Sequence, residues 1–308
     1  MAVTLAEYMR AVQQSDPTLA GVIKTYIENA PILGDAKNIG APLPSLKWQN
    51  TVGGIVSFVR QKTLPETAWR EIGTEFEAKV GETEKISEDL KIGGGRVNID
   101  RALINRGGEA GAIEQQRMLV ASFARTWNKA FYKGDGSNNS ITGLEERLTD
   151  AGVNNIDNGG DALDLYVLDK ILLEVRGSDL AIVTGRGVAS RIMQSAKNST
   201  NVNYTPATYG VSPASYNGVP IMLAGEDIDE SEILGFTETA STASIYVVSL
   251  GEEGVVGAQT KPMEVIYPQG RQLVDSPMVV EWDNNFIIKN PRSAIRLRNI
   301  ADEPILAS

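Results

Sequence analysis

Residues 109–133 read EAGAIEQQRMLVASFARTWNKAFYK, and the rest of the chain is placed from them. Ile113, Val120, Phe123, Ala124, Trp127, Ala130 and Phe131 recur largely at three- and four-residue steps. That spacing predicts one long helix with a single apolar face, on which Trp127 and Phe131 read as core. Glu109 and Glu114 stand at its start and Arg125, Lys129 and Lys133 at its end, which complements the helix dipole. At about 1.5 Å per residue the rod is roughly 37 Å long. Gly134-Asp135-Gly136 stops it.

Upstream, the character is strand. Residues 55–60 (IVSFVR) read as β from their β-branched and aromatic content, and Thr63-Leu64-Pro65 as a loop. Residues 66–89 then carry eight acids against three bases, a surplus equal to half the net charge of the whole chain. A return strand is predicted over 89–92, interrupted by Gly93-Gly94-Gly95 and resumed over 97–100. Together these describe a long two-stranded excursion with a solvated, acidic tip. An isolated ribbon is unstable alone, so it should lie against something else, such as another subunit.

At the N-terminus, Thr4 and Glu7 fit a capping box ahead of Leu5, Met9 and Val12. Asp16-Pro17 restarts a helix with Leu19, Val22, Ile23, Tyr26 and Ile27 as its stripe. Residues 34–44 read as loop. Downstream, helices are predicted at 162–175 and 188–196, and strands at 180–184, 219–223, 244–250 and 263–267. A polar loop covers 198–217. The chain closes with strands at 278–282, 286–289 and 294–300, with a turn at Asp283-Asn284-Asn285.

Composition narrows the chemistry. Over 308 residues, Lys plus Arg is 29 and Asp plus Glu is 39, a net charge of −10, which argues against coating nucleic acid by phosphate neutralisation. With no cysteine there is no disulfide framework, thiolate zinc site or thiol nucleophile. With no histidine there is no Ser-His-Asp machinery and no His-ligated metal centre. Glu7, Arg10, Asp16, Lys24 and Glu28 interrupt any apolar signal core, and no apolar run is long enough to span a bilayer. A soluble protein is expected, without a catalytic, cofactor or metal site.

Three motifs imitate sites. Residues 180–190 (LAIVTGRGVAS) resemble a dinucleotide turn, with Gly185 and Gly187 before a helix. The third small position is Ser190, however, and no acid occurs between Asp179 and Glu226 to hold a ribose. An ordinary strand-to-helix turn is the expectation. Asp135, Ser137, Asn139 and Glu146 fall at positions 1, 3, 5 and 12 of a calcium loop, but Ser140 replaces its turn glycine. Tyr204, Tyr209 and Tyr216 offer stacking groups without basic neighbours beyond Lys197, so a surface loop is expected. For the acidic tip, the reading taken is charge-complementary contact with a neighbouring copy, ahead of a metal site or a solvated face. Lys289, Arg292, Arg296 and Arg298 are its candidate partners; otherwise they form a solvated edge.

The order of these pieces resembles the major capsid proteins of tailed bacteriophages, the Hong Kong 97-type fold. The resemblance is carried by EDLKIGGGRVNIDRAL (88–103), the helix 109–133, ITGLEERL (141–148), LAIVTGRGVASRIMQS (180–195) and VVEWDNNFIIKNPRSAIRLRNI (279–300). It implies an α+β chain with an N-terminal arm (1–52), an extended β-ribbon or E-loop (53–100), a P domain with the spine helix (101–149), a mixed-sheet A domain (150–268) and C-terminal P-domain strands (269–308). It further implies a non-enzymatic subunit that self-assembles into hexamers and pentamers of an icosahedral head. That head encloses double-stranded DNA without sequence-specific binding, is assembled in the host bacterial cytoplasm and involves no membrane. Scaffolding, portal and decoration proteins are the implied partners, scaffolding being a separate protein or already removed. Some members form Lys–Asn cross-links. Lys62, Lys79 and Lys85 lie in the ribbon, but nothing in the sequence marks a partner Asn. The alternatives are an encapsulin-type shell and, from another class, a nucleotide-binding enzyme using the Gly185/Gly187 turn.

Overall fold

The computed structural model describes residues 3–13, 17–33, 44–100, 102, 106, 109–149, 152–196, 202–206, 211–266 and 275–305. In chain order these give β1 (Val3–Thr4), α1 (Leu5–Val12), α2 (Pro17–Asn29), β2 (Lys47–Asn50), β3 (Ile55–Gln61), β4 (Thr83–Asp89) and β5 (Lys91–Asp100). Next come the long helix α3 (Glu109–Lys133), α4 (Leu144–Arg147), β6 (Asn155–Asp157), α5 (Leu165–Glu174), β7 (Leu180–Thr184) and α6 (Arg186–Ala196). The remainder is β8 (Val202–Pro206), β9 (Val211–Tyr216), β10 (Val219–Leu223), β11 (Thr242–Ser249), β12 (Val255–Gln259), β13 (Glu264–Ile266), β14 (Asp275–Ile288) and β15 (Ala294–Ala301).

The strands form two sheets and a ribbon. One sheet runs β1-β2-β12-β14-β13, with β5 also paired along β14; the other runs β6-β15-β11-β7-β10-β9-β8; β3 and β4 pair only with each other. Helix α3 occupies the residues its spacing predicts. Its buried face holds Val120, Phe123, Ala124, Trp127 and Phe131, together with Tyr132, Asn128 and Gln116. Ile113, expected on that face, is exposed. The core formed by α3, α2 and β14 continues into the second sheet through Ala181, Val183, Tyr246 and Val248. The alternate residues Ile182, Ile245, Val247, Ile295 and Leu297 pack on α5 and α6 through Leu168, Ile171, Val188 and Ile192. Both faces of the second sheet are therefore covered, and β7 beyond Leu180 and all of β11 are buried without alternation.

Several expectations are corrected. Gly93-Gly94-Gly95 do not interrupt β5, which pairs with β14 from Asp100↔Asp275 to Lys91↔Asn284. A Cβ on Gly93 would lie 2.8 Å from the Phe123 ring and one on Gly95 2.7 Å from Leu119, so the glycines let α3 lie close against the strand. The return strand of the ribbon is β4, before Leu90, and 91–100 belongs to the first sheet. The turn expected at 283–285 is continuous strand, and both asparagine side chains have partners distant in the chain. Asn284 Oδ1 accepts from Trp127 Nε1 (2.7 Å), and Asn285 Nδ2 donates to the Asp89 carbonyl (2.8 Å). The 198–217 loop contains the hairpin β8–β9, whose polar composition hid it. β15, expected with the closing P-domain strands, pairs with β11 and β6 in the second sheet. The capping box is present: Glu7 N–H donates to Thr4 Oγ1, and Thr4 N–H donates to Glu7 Oε2. Asp16 and most of 34–44 lie outside the described residues.

Candidate functional site

The ribbon divides into a seated root and a projecting tip. In β3 and β4 every second residue, from Val56 to Arg60 and at Ile86 and Glu88, faces the body and loses exposure. Val56, with Phe58 against it, packs on Leu90, Val256, Ala258 and Ile287. Arg147 NH1 and NH2 donate to the two carboxylate oxygens of Glu88, each at 2.7 Å, while its Nε donates to the Thr142 carbonyl at 2.8 Å. The same guanidinium lies 4.6 Å from the Phe286 ring centroid. From the ribbon side, Arg60 donates to the carbonyls of Ile288 (2.6 Å) and Lys289 (3.1 Å).

Beyond Gln61 the contacts end, and residues 61–80 are exposed throughout. The charges pair weakly among themselves: Lys79 lies 3.6 Å from Glu66 and 3.5 Å from Glu77, and Lys62 lies 3.6 Å from Glu82. The reading of the tip as a charged contact surface leaves out its apolar content. Leu64, Trp69, Ile72, Phe76 and Val80 are all open to solvent, and residues 65–79 surround an open hollow of about 1000 Å³. The signal was in the sequence, since Trp69, Ile72, Phe76 and Val80 repeat at steps of three and four within the charged run. That spacing makes no helix here. A helix over 64–80 would hold its ends about 25 Å apart. Yet Thr63 N–H donates to the Glu82 carbonyl (3.2 Å) and Glu82 N–H to Thr63 Oγ1 (3.1 Å). A large apolar set carried on a loop without its own core has the character of a binding surface.

The basic residues proposed as its partner are mostly engaged within the chain. Arg296 is buried, pairs with Glu145 (3.0 Å) and Glu238 (3.1 Å), and donates from Nε to Ser244 Oγ. Arg298 pairs with Asp157 at 3.0 Å, and Lys289 Nζ donates to the Glu252 carbonyl. The side chain of Arg292 is exposed. Arg296 therefore acts as an internal strut and Arg298 as half of a surface pair within the chain, which corrects the reading of 289–300 as a free basic edge.

A Cβ on Gly185 would stand 2.1 Å from the Leu234 carbonyl oxygen and one on Gly187 2.5 Å from the Phe236 ring, so the turn is filled by the 232–236 loop. Gly185→Ala should cost about 1–3 kcal/mol by overpacking. Saturating NAD, NADP or ATP should leave the melting temperature unchanged, whereas a ligand at a hundredfold its Kd would add about 2.7 kcal/mol. A clear shift would restore the nucleotide reading. The Asp135 carboxylate accepts from Ser137 N–H (2.9 Å) and Ser137 Oγ (2.7 Å), bonds that hold its pKa below the usual carboxylate range. Among the described residues no group of three or more acidic, His or Cys side chains could hold a metal. Tyr216 is buried and donates to Asp169 Oδ1 at 2.8 Å; burial and this bond push its pKa up. Tyr204 lies on β8 with its side chain outside the described residues, as is all of Tyr209. No helix among the described residues is long and apolar enough to cross a membrane.

No protein-family model and no curated protein sequence matches the chain. Solved structures do. The SrpI encapsulin of Synechococcus elongatus superposes with a TM-score of 0.63 at 12% identity, over 85% of this chain and 88% of that one. The capsid of the empty GTA particle gives 0.61 at 15% identity, over 87% and 100%. A chain of Mycobacterium phage Bobi gives 0.58 at 11% identity, over 85% and 93%. The chain has the Hong Kong 97-type capsid fold. Within that fold, α3 is the spine helix and β3–β4 is the extended ribbon. The arginine-clamped root and the apolar tip are features of this chain's own side chains.

Proposed function

We propose that the chain is the major capsid subunit of a tailed phage, a structural protein that assembles into hexamers and pentamers of an icosahedral shell around double-stranded DNA. The observation that carries this reading is the ribbon tip: a capsid-fold subunit exposing Trp69, Ile72, Phe76 and Val80 on an arm with no core of its own needs a neighbour to cover them. A closed shell repeats one such contact around every ring. The net charge of −10 supports a wall to which packaged DNA does not adhere. Scaffolding, portal and decoration proteins are the partners this role brings with it.

Electron microscopy of the purified protein, expressed with and without its neighbouring genes, tests the proposal. Rings of five and six or closed particles support it, and a featureless monomer under every condition overturns it. The superposition on an encapsulin favours a second reading, an encapsulin-type shell. DNA inside the particles supports the phage reading, and an enclosed enzyme supports the encapsulin reading. Reversing Glu75 and Glu77 to Lys, both exposed, should leave the melting temperature unchanged and impair assembly. Normal shells from that variant would remove the tip's charge from the contact.

A further inference from the structure

The ribbon joins the body through two narrow connections. On one strand Gly53 and Gly54 have φ of +89° and +71°, with no atom within 4 Å of where a Cβ would stand. On the other, the single residue Leu90 separates β4 from β5, and its N–H donates to the Gly54 carbonyl at 2.9 Å. Both connections thus meet at one line. Fixed points lie just inside it: Thr51 N–H donates to the Gln259 carbonyl, and Lys91 is in register with Asn284. Glycines at positive φ with open space around them leave a backbone that turns at little steric cost. What opposes turning is the seat beyond the line, and its strongest polar element is the Arg147–Glu88 pair. The pair is bidentate, with side chains only 14% and 21% exposed, so each charge depends on the other. Arg147 does not belong to the ribbon. It ends α4, stacks on Phe286, and Phe286 in turn packs on Phe131 of the spine helix at 4.5 Å between ring centroids.

We propose that Arg147 is a positioning residue for the ribbon. Its pairing with Glu88 latches the arm onto the body at one angle, and loss of the pair loosens the arm about the line through Gly53-Gly54 and Leu90, leaving it held by the packing of Val56 and Phe58 and by the Asn285–Asp89 bond. Arg60, reaching from the ribbon to the Ile288 and Lys289 carbonyls, is the second arm of the latch. The spine-helix core and the arm are thereby coupled through one guanidinium.

The chain contains no cysteine, so two can be introduced and spin-labelled without background. Ala68→Cys on the tip and Lys24→Cys on α2, both exposed, report the arm-to-body distance in full-length chain diluted with unlabelled protein. A single narrow distance distribution is expected in the parent. Glu88→Gln and Arg147→Lys should each broaden it and add longer distances, and Glu84→Gln, an exposed ribbon acid without a body contact, should leave it unchanged. Should Arg147→Lys fail to fold, Glu88→Gln alone decides, because it removes no packing. A distribution as narrow in Glu88→Gln as in the parent overturns the latch. The readout is taken within one chain, so its outcome is independent of whether shells form.

Discussion

Trp127→Ala is expected to destabilise the subunit by about 3–5 kcal/mol, the usual cost of removing a fully packed large aromatic. Trp127 is 4% exposed and lies against Phe131, Trp48 and Trp282, with ring centroids 5.4, 6.0 and 6.1 Å away. The substitution opens a cavity where α3, β2 and β14 meet, a place that cannot collapse without moving two strands. It also strands Asn284 Oδ1, which accepts the indole N–H and is buried, and an unmet buried acceptor costs about 1–3 kcal/mol. The two costs overlap, so the upper half of the range is expected. Chemical denaturation of the unassembled chain measures it, and near-parental stability would mean that this aromatic cluster is not the centre of the core.

The second large effect lies at the other end of the molecule. Replacing Trp69 and Phe76 with Ser should leave the subunit's melting temperature within error, since neither side chain touches a core cluster. Assembly should nevertheless be lost. Each aromatic covers roughly 150–250 Å² when buried. At about 25 cal/mol per Å² that is on the order of 4–6 kcal/mol for complete coverage of the fully exposed Trp69, and less for Phe76, which is already partly covered. Part is spent on ordering a loop that is free in the monomer, yet a surviving 4 kcal/mol still shifts the assembly concentration by about a thousandfold. Sedimentation and light scattering across a concentration series give the answer. Shells appearing at the parental concentration would mean the tip is not the covered surface.

The spine helix was legible in the sequence because burial imposes a period on it, and its bounds follow from the glycines after Lys133. Strands β7 and β10 were legible as short apolar runs between turns. What failed to show was structure held by side-chain partners distant in sequence. Asn284 and Asn285 read as a turn until Trp127 and Asp89 arrive from 157 and 196 residues away to occupy their amides. Gly93 and Gly95 read as a break until α3 is laid across them. Arg296 and Arg298 read as a free basic edge because Glu145, Glu238 and Asp157 are nowhere near them in the chain. In the ribbon the dense charge masks the apolar residues set between the acids, Trp69, Ile72 and Phe76 among them. The root was invisible for a related reason: Glu88 is one acid among eight until Arg147 singles it out.

The continuous core across the spine helix bears on how such a chain can diversify. Ala181, Val183 and Tyr246 of one sheet share their packing with Trp127 and Trp282 of the other side, so neither half can be exchanged for a foreign one without rebuilding α3 between them. The arm beyond Gln61 has the opposite character. It contributes no residue to any core cluster, and its two ends are tied together at Thr63 and Glu82. Lengthening a surface loop whose ends are already joined adds only about 0.6 kcal/mol per doubling. Inheritable change in how copies meet can therefore accumulate in the arm at almost no expense to folding, while the body holding it stays fixed.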